Sequence, residues 1–374
     1  MSSEESTAIP VLVAEGTYYQ VGYKVGEAFK AQISTALLND SILEKMKPYY
    51  RTPEGSAVYA TMFAAVSRAF PRFVEELQGM ADATGITLTD LVLWNFRFDW
   101  SLLLRDKTKG SAKPGCSDVY VTNLEGTTLM GHNEDNAALF KDLGYILEAR
   151  YTDPAFPGKA EEVITFYCYP GMLCGNAFGF NDKGVVMTQD ALSPSNVNIS
   201  DESIARNFLN RALVGQTVEA MISILDTYRC ASGFSVNLGS LEDLSVVNIE
   251  VSPTGYQKTC VNGYSYHFNA YLHGNFPQYD GPSSNHRLAR IRQLAPPVSR
   301  QDILAILGDT GDKEYPIYRD DTPPDSGITL CTVLYDLGQR TMELFVGNPA
   351  HGVPVMQFSM ATAQAATVNK GNCS

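Results

Sequence analysis

Gly115-Cys116-Ser117-Asp118-Val119-Tyr120-Val121-Thr122 is the stretch on which the reading of this chain turns. Ahead of it lies Asp106-Lys107-Thr108-Lys109-Gly110-Ser111-Ala112-Lys113-Pro114, with the lysines, glycine and proline of a polar linker. Behind the cysteine, Val119 to Thr122 has the β-branched and aromatic composition of a strand. A cut between Gly115 and Cys116 would turn Cys116 into a new N-terminus, with a thiol and an amine on one residue. A thiol is activated by an adjacent base, and a free α-amino group is one.

Outward from the linker, the first third of the chain reads as helical. Val21, Val25, Phe29, Ile33 and Leu37 recur at helical spacing and predict a helix over 19–43. A second is expected over 58–83, closed by Thr84-Gly85, and a third from Leu88 through Asn95. After Cys116, short apolar and β-branched runs alternate with Gly, Asn and Asp turns. Strands are expected at 118–123, 127–132, 145–151, 162–167, 177–181 and 185–189, with Asn181-Asp182-Lys183-Gly184 as a hairpin turn. Helices at 201–213 and 218–228 precede strands at 234–238, 244–251 and 264–268; helices near 286–294 and 300–307 precede strands at 328–335 and 341–346. The pattern is α+β. It divides into a helical segment, 1–115, and a catalytic segment, 116–374, within one structural domain.

The chain has 374 residues, is 44% apolar and 18% charged, and carries a formal net charge of −13. That composition supports a large core. Its acidity argues against nucleic acid and anionic membrane surfaces as partners. No apolar run reaches the roughly 18 residues of a membrane span. Met1-Ser2-Ser3-Glu4-Glu5 lacks the basic-plus-apolar pattern of a signal peptide, so a cytoplasmic protein is expected. The seven cysteines are scattered and odd in number, as free thiols of a reducing compartment would be. The five histidines show no metal-ligand spacing, so no metal is expected.

Four segments together carry chemistry. Cys116 heads a strand. Gly131-His132-Asn133-Glu134-Asp135 ends the next one, and a hairpin would bring Asp135 beside the cysteine, where it could hold the α-amino group. Tyr266-His267-Phe268-Asn269 ends a strand in an amide fit to donate to an oxyanion. Ser283-Ser284-Asn285-His286-Arg287 enters a helix with an arginine that could favour a thiolate. Each residue alone has an ordinary structural explanation: core cysteine, turn acid, strand-end amide, surface charge. Their joint order makes the pattern.

In that order the chain resembles the acyl-coenzyme A:6-aminopenicillanic acid acyltransferase family, N-terminal-nucleophile hydrolases that cut themselves before a cysteine. The resemblance runs from Gly16-Thr17-Tyr18-Tyr19-Gln20-Val21-Gly22 through Leu93-Trp94-Asn95, Gly115-Cys116, Tyr169-Pro170-Gly171, Gly179-Phe180-Asn181 and Ile328-Thr329-Leu330-Cys331-Thr332 to Val346-Gly347-Asn348-Pro349. It implies a four-layer αββα fold and self-cleavage between Gly115 and Cys116. The two processed chains would then stay together as a heterodimer, and a higher oligomer is compatible with that. It implies Cys116 as nucleophile, with Asp135, Asn269 and Arg287 in support, although here Ala270 and Tyr271 follow Asn269 where the family has His and Phe. Asp190, where relatives often carry Asn, and His132 are the candidate substrate contacts. The substrate would be a small-molecule linear amide or an acyl-coenzyme A, since members include acyl-coenzyme A-dependent acyltransferases and hydrolases of β-alanyl amides. The chemistry requires no cofactor. An unprocessed, non-catalytic binding member is the alternative of a different kind.

Overall fold

The structure is a computed structural model that describes residues 9–105, 115–152, 161–279 and 281–360. The linker 106–114 and Cys373 lie outside the described residues. The chain opens with β1 (Val11–Gly16) and continues through α1 (Tyr18–Ala28), α2 (Lys30–Asn39), α3 (Ser41–Tyr50), α4 (Pro53–Ala69), α5 (Pro71–Thr84), α6 (Leu88–Asn95) and α7 (Arg97–Leu103). Then come β2 (Ser117–Leu124), β3 (Thr127–Asn136), β4 (Tyr145–Tyr151), β5 (Glu162–Cys168), β6 (Gly179–Asn181), β7 (Val185–Leu192) and β8 (Ser203–Ile204). Next are α8 (Arg206–Val214), α9 (Val218–Thr227), β9 (Arg229–Cys230), β10 (Gly233–Ser240), β11 (Val246–Ser252), β12 (Gly255–Val261) and β13 (Tyr264–His267). The described chain closes with α10 (Pro282–Ile291), α11 (Arg300–Leu307), β14 (Ile328–Asp336), β15 (Thr341–Phe345) and β16 (Met356–Ser359).

The expected helix over 19–43 is three helices. A capping box between Thr17 and Gln20 starts α1. The run then breaks at Phe29 and again at Asp40, whose carboxylate accepts from the Ile42 and Leu43 amides and caps α3. The expected helix over 58–83 is two, because Pro71 cannot continue the hydrogen bonding of α4 and instead begins α5. Gly85, in the left-handed conformation at φ 78°, ends α5 where Thr84-Gly85 placed it. The first third is also not wholly helical. β1 lies parallel to β4, pairing Val11 with Ile146 and Tyr151 with Gly16. Six residues are too few to show either periodicity against the helical signal that follows.

The strands form a mixed eight-stranded sheet ordered β1-β4-β5-β6-β7-β10-β11-β12, a six-stranded sheet ordered β13-β2-β3-β14-β15-β16, and a small β8-β9 pair. The two large sheets touch. Thr188 of β7 donates to Asp118 of β2 at 2.6 Å, and the Tyr335 hydroxyl of β14 donates to the Gly179 carbonyl of β6 at 3.4 Å. One apolar cluster joins the eight-stranded sheet to the N-terminal helices, with Val21, Phe73, Leu77 and Trp94 packed against Ile146, Leu147 and Phe166. A second joins α10 and α11 to the six-stranded sheet through Leu288, Ile303, Leu307, Val119, Leu129 and Leu334. Helices α1 and α5 meet backbone to backbone: a Cβ on Gly79 would run into the Tyr19 carbonyl. Behind that contact Glu76 of α5 is buried with Arg211 of α8, which also holds Glu162 of β5 at 2.9 Å. Among the described residues no helix is long and apolar enough to cross a membrane. The six described cysteines are free thiols.

Candidate active site

The site is organised by the β2–β3 hairpin. Its register pairs Ser117 with Asn133 and Asp118 with His132, and continuing it sets Cys116 opposite Glu134 and Gly115 opposite Asp135. Side chains alternate along a strand, so the hairpin has two chemically distinct faces. Cys116, Asp118, His132 and Glu134 share the face turned toward the eight-stranded sheet. Ser117, Asn133 and Asp135 share the other.

On the first face the thiol of Cys116 donates to Glu134 Oε1 at 3.7 Å, and the Tyr169 hydroxyl donates to the same oxygen. His132 sits between Glu134 Oε2 at 3.1 Å and Asp118 Oδ1 at 3.0 Å. Beyond Asp118, polar contacts continue across the gap between the sheets. Thr188 donates to Asp118, Asn237 donates to Thr188 at 3.2 Å and to Asp190 at 3.4 Å, and His267 bridges Asp190 at 3.1 Å and Glu250 at 3.0 Å. Glu250 accepts the backbone N–H groups of Leu272, His273 and Gly274 and so anchors the loop after β13. Burial works against charge on His132, but Asp118, Cys116 and Glu134 raise its pKa well above the ordinary value. His267 is likewise raised to about 10 by its two carboxylates, against the opposing effect of burial. Burial and the neighbouring Asp118 carboxylate push Asp190 up to about 7. Burial and the Glu134 carboxylate push the Cys116 thiol up in the intact chain, and the hydrogen bond to His132 only partly offsets them.

On the second face two buried arginines hold the backbone at the expected cleavage point. Arg319 donates to the Gly115 carbonyl at 3.3 Å while its other nitrogens clamp Asp325. Arg287 donates to the Cys116 carbonyl at 2.6 Å, to Ser117 Oγ at 2.9 Å and to Asn269 Oδ1 at 2.9 Å. Burial and the nearby Arg319 lower Arg287 to about 10. Asp135 accepts from Thr329 at 2.7 Å and lies 3.9 Å from Arg319. Burial raises its pKa to about 7, against the pull of both arginines. Asn269 takes the left-handed conformation at φ 51°, donates to the Ala191 carbonyl at 3.1 Å, and sits so close to Gly115 that a Cβ there would collide with its amide.

Cys116, Asp135, Asn269 and Arg287 are therefore brought together around the backbone of residues 115–117. Arg287's hydrogen bonds go to the Cys116 and Ser283 carbonyls, to the Ser117 and Ser283 hydroxyls and to Asn269, and none goes to the Cys116 thiol. His132 and Asp190 do not line the cavity at the thiol. A cavity of about 810 Å³ is lined by Gly115, Cys116, Glu134, Asp135, Tyr169, Gln189, Ala191 and Arg206, with Asp40, Lys45, Arg97 and Arg105 farther along its wall. Strand alternation in β7 gives Gln189 and Ala191 to that cavity and turns Asp190 inward, where it is 0% exposed. His132, also 0% exposed, lies beside the thiol and is held there by Glu134 and Asp118.

Glu134, Tyr169 and Arg319 are members of the site that sequence reasoning passed over. For Glu134 the signal was present: in a hairpin, residues two apart share a face, so the acid next to Asp135 is the one turned toward the thiol. Arg319 gave no signal, because its place depends on the loop between α11 and β14. Among the described residues, two sets of donors lie close enough to hold a cation, Cys116 with His132 and Glu134, and Asp118 with His132 and Asp190, each within 4.8 Å. In both, His132 is already satisfied by two carboxylates, which accounts for the clusters as an internal ion network.

Fold and site together define a mixed α/β protein with a buried cysteine at a cavity wall, its own peptide bond gripped on both sides. The chain belongs to the family described as Acyl-coenzyme A:6-aminopenicillanic acid acyl-transferase, whose profile matches residues 122–351. The match takes in Asp135, Asn269, Arg287 and Arg319 and begins just after Cys116. The chain is 27% identical over 375 aligned residues, 93% of its length and 95% of the relative's, to a Beta-alanyl-dopamine/carcinine hydrolase of Drosophila melanogaster. It is 24% identical over 181 residues, 48% of its length and 46% of the relative's, to the Acyl-coenzyme A:6-aminopenicillanic-acid-acyltransferase 40 kDa form of Emericella nidulans.

Proposed function

We propose that this protein is a self-processing cysteine amidohydrolase of the N-terminal-nucleophile type, built as four layers in the order αββα. The layering is supported by the contact between the two sheets and by the separate helix clusters behind each. The observation that carries the functional reading is the Gly115–Cys116 peptide. Arg319 donates to its carbonyl, Asn269 packs against Gly115, Arg287 holds the next carbonyl, and the thiol opens on a cavity. Cleavage there yields chains 1–115 and 116–374, which stay associated through the β1–β4 pairing and the buried Glu76–Arg211–Glu162 network.

In the cut protein the Cys116 α-amino group, with a reference pKa of about 7.7–8.0, takes the thiol proton. The sulfur attacks an amide carbonyl, and the Asn269 amide donates to the oxyanion. Water then releases the acyl group from Cys116. Asp135 fixes the new amine. The substrate is assigned as a linear β-alanyl-type amide on the strength of the Drosophila relative, aligned over nearly the whole chain. Acyl transfer from an acyl-coenzyme A is the second reading. It is favoured by the basic wall residues Lys45, Arg97 and Arg105, which suit a phosphate-bearing donor, and by the Emericella relative.

The test is intact mass followed by turnover. Purified protein is expected as two associated fragments, and Cys116→Ala as one inactive chain. Release of dopamine from β-alanyl-dopamine supports the hydrolase; acyl-coenzyme A consumption only with an amine acceptor supports the transferase. A full-length protein with undiminished turnover would refute self-processing, and a full-length protein without turnover would mark a binding member.

A further inference from the structure

We infer that Glu134 is the base that drives the self-cleavage of the precursor, a catalytic task separate from that of the α-amine. The inference rests on the self-processing reading above. Before the cut, the nitrogen of Cys116 is an amide and cannot accept a proton, so the amine that serves turnover does not exist. Some other group must take the thiol proton if the sulfur is to attack the Gly115 carbonyl. Burial holds that thiol in its neutral form. The Glu134 carboxylate is the acceptor it already meets, Sγ to Oε1 at 3.7 Å, and Glu134 lines the same cavity as Cys116. Asp135, the neighbouring acid, is turned to the other face toward Thr329 and Arg319.

The step balances. The S–H bond of Cys116 breaks and its proton passes to Glu134. Sulfur bonds to the Gly115 carbonyl carbon, and the oxygen becomes an oxyanion that accepts from Arg319. As it collapses, the bond from Gly115 carbon to Cys116 nitrogen breaks, and Glu134 returns its proton to the departing nitrogen. The product is a thioester between Gly115 and the Cys116 sulfur. Water hydrolyses it, leaving a Gly115 carboxylate and a free thiol and amine on Cys116. Glu134 ends as it began.

Its surroundings fix the proton transfer from several sides. His132 on the same strand and the Tyr169 hydroxyl after β5 both hydrogen-bond to Glu134. Cys331 lies opposite it on β14, and Tyr167 of β5, Arg206 of α8 and Asp135 beside it all feel its charge. Tyr169 positions the base: its donated hydrogen bond holds the Glu134 oxygen that the thiol meets.

The experiment follows freshly translated full-length chain by intact mass over time, from pH 5 to 9. Wild type is expected to convert, with Cys116→Ala remaining whole. Glu134→Gln is expected to convert at least about 100-fold more slowly, in line with the loss of a general base, and Glu134→Asp to fall between. Tyr169→Phe, which releases that oxygen, is expected to convert roughly tenfold more slowly in a chain that melts like wild type. Thermal melting checks that each variant is folded; if Glu134→Gln is not, Glu134→Asp and Tyr169→Phe decide. Conversion of folded Glu134→Gln at a rate within a few-fold of wild type, while Cys116→Ala stays whole, would overturn the base and leave self-cleavage standing. Conversion of folded Tyr169→Phe at the wild-type rate counts against it in the same way. A wild-type chain that never converts overturns both.

Discussion

The two faces of the β2–β3 hairpin carry opposite chemistries less than a strand's thickness apart. One meets a thiol, four carboxylates and two histidines in a single hydrogen-bonded file from Cys116 to Glu250. The other holds two arginines aimed at backbone carbonyls. In the proposed mechanism the first passes protons and the second receives negative charge on oxygen. Strand alternation keeps them apart, and a slip of one residue in the β2–β3 register would exchange them.

The largest way to break this division is on the proton-holding face. Asp118→Ala leaves His132 with one carboxylate in place of two in a fully buried site. Breaking a buried pair costs about 3–5 kcal/mol. Urea unfolding, with wild-type and variant both in a Cys116→Ala background, should show that loss; a change under about 1 kcal/mol would mean the file carries no charge.

Next comes the oxygen-facing side. Arg319→Met should slow conversion of the precursor by about 10²–10³, the usual effect of losing one oxyanion donor. Asn269→Ala should lower kcat of the mature protein by a similar factor with little change in KM, since it acts on charge that develops in the transition state. Should Arg319→Met instead reduce turnover of already-cut protein and spare conversion, the two donors would have to exchange roles.

A smaller effect is expected from Asp135→Asn. Burial raises the pKa of Asp135 in the intact chain to about 7. The folded chain therefore binds this proton more tightly than the unfolded one, and the contribution to stability falls as pH climbs from the unfolded value toward 7, levelling off above it. In a Cys116→Ala background, Asp135→Asn should melt a few degrees higher relative to its parent at pH 8 than at pH 4.5. A constant difference across that range would mean that Asp135 does not titrate there.

The smallest effect is a null one. Asp190→Asn should change turnover of cationic and neutral amides alike, because Asp190 faces Asn237 and His267 and not the cavity. A selective loss on cationic amides would put that carboxylate within reach of substrate after all.

Much of this was legible in the residues. The strand at 145–151 and the helix at 300–307 fall where composition put them, because their periodicity is strong and their ends are marked. Cys116, Asp135, Asn269 and Arg287 were legible as an ordered set, and they do meet. Which way each side chain turns was less so. Asp190 read as a substrate contact because it stands where relatives often carry Asn, yet its buried partners come from strands 47 and 77 residues away. Nothing local announces such partners. Arg319 was hidden for the same reason, with 204 residues between it and Gly115. The edge strand β1 was hidden by its brevity.

That short strand has a consequence for how the protein can be made. β1 is the outermost member of the eight-stranded sheet and covers the side of β4 along Ile146 to Tyr151. A chain begun at Cys116 would leave that row of N–H and C=O groups bare, together with the apolar surface that the N-terminal helices cover. Bare strand edges recruit other strands. Expressing the C-terminal piece by itself should therefore yield aggregate, and mixing in the other piece afterwards should rescue little. Under the proposed processing, the N-terminal segment would act as a built-in chaperone for its own partner, with the two halves born as one chain before becoming two.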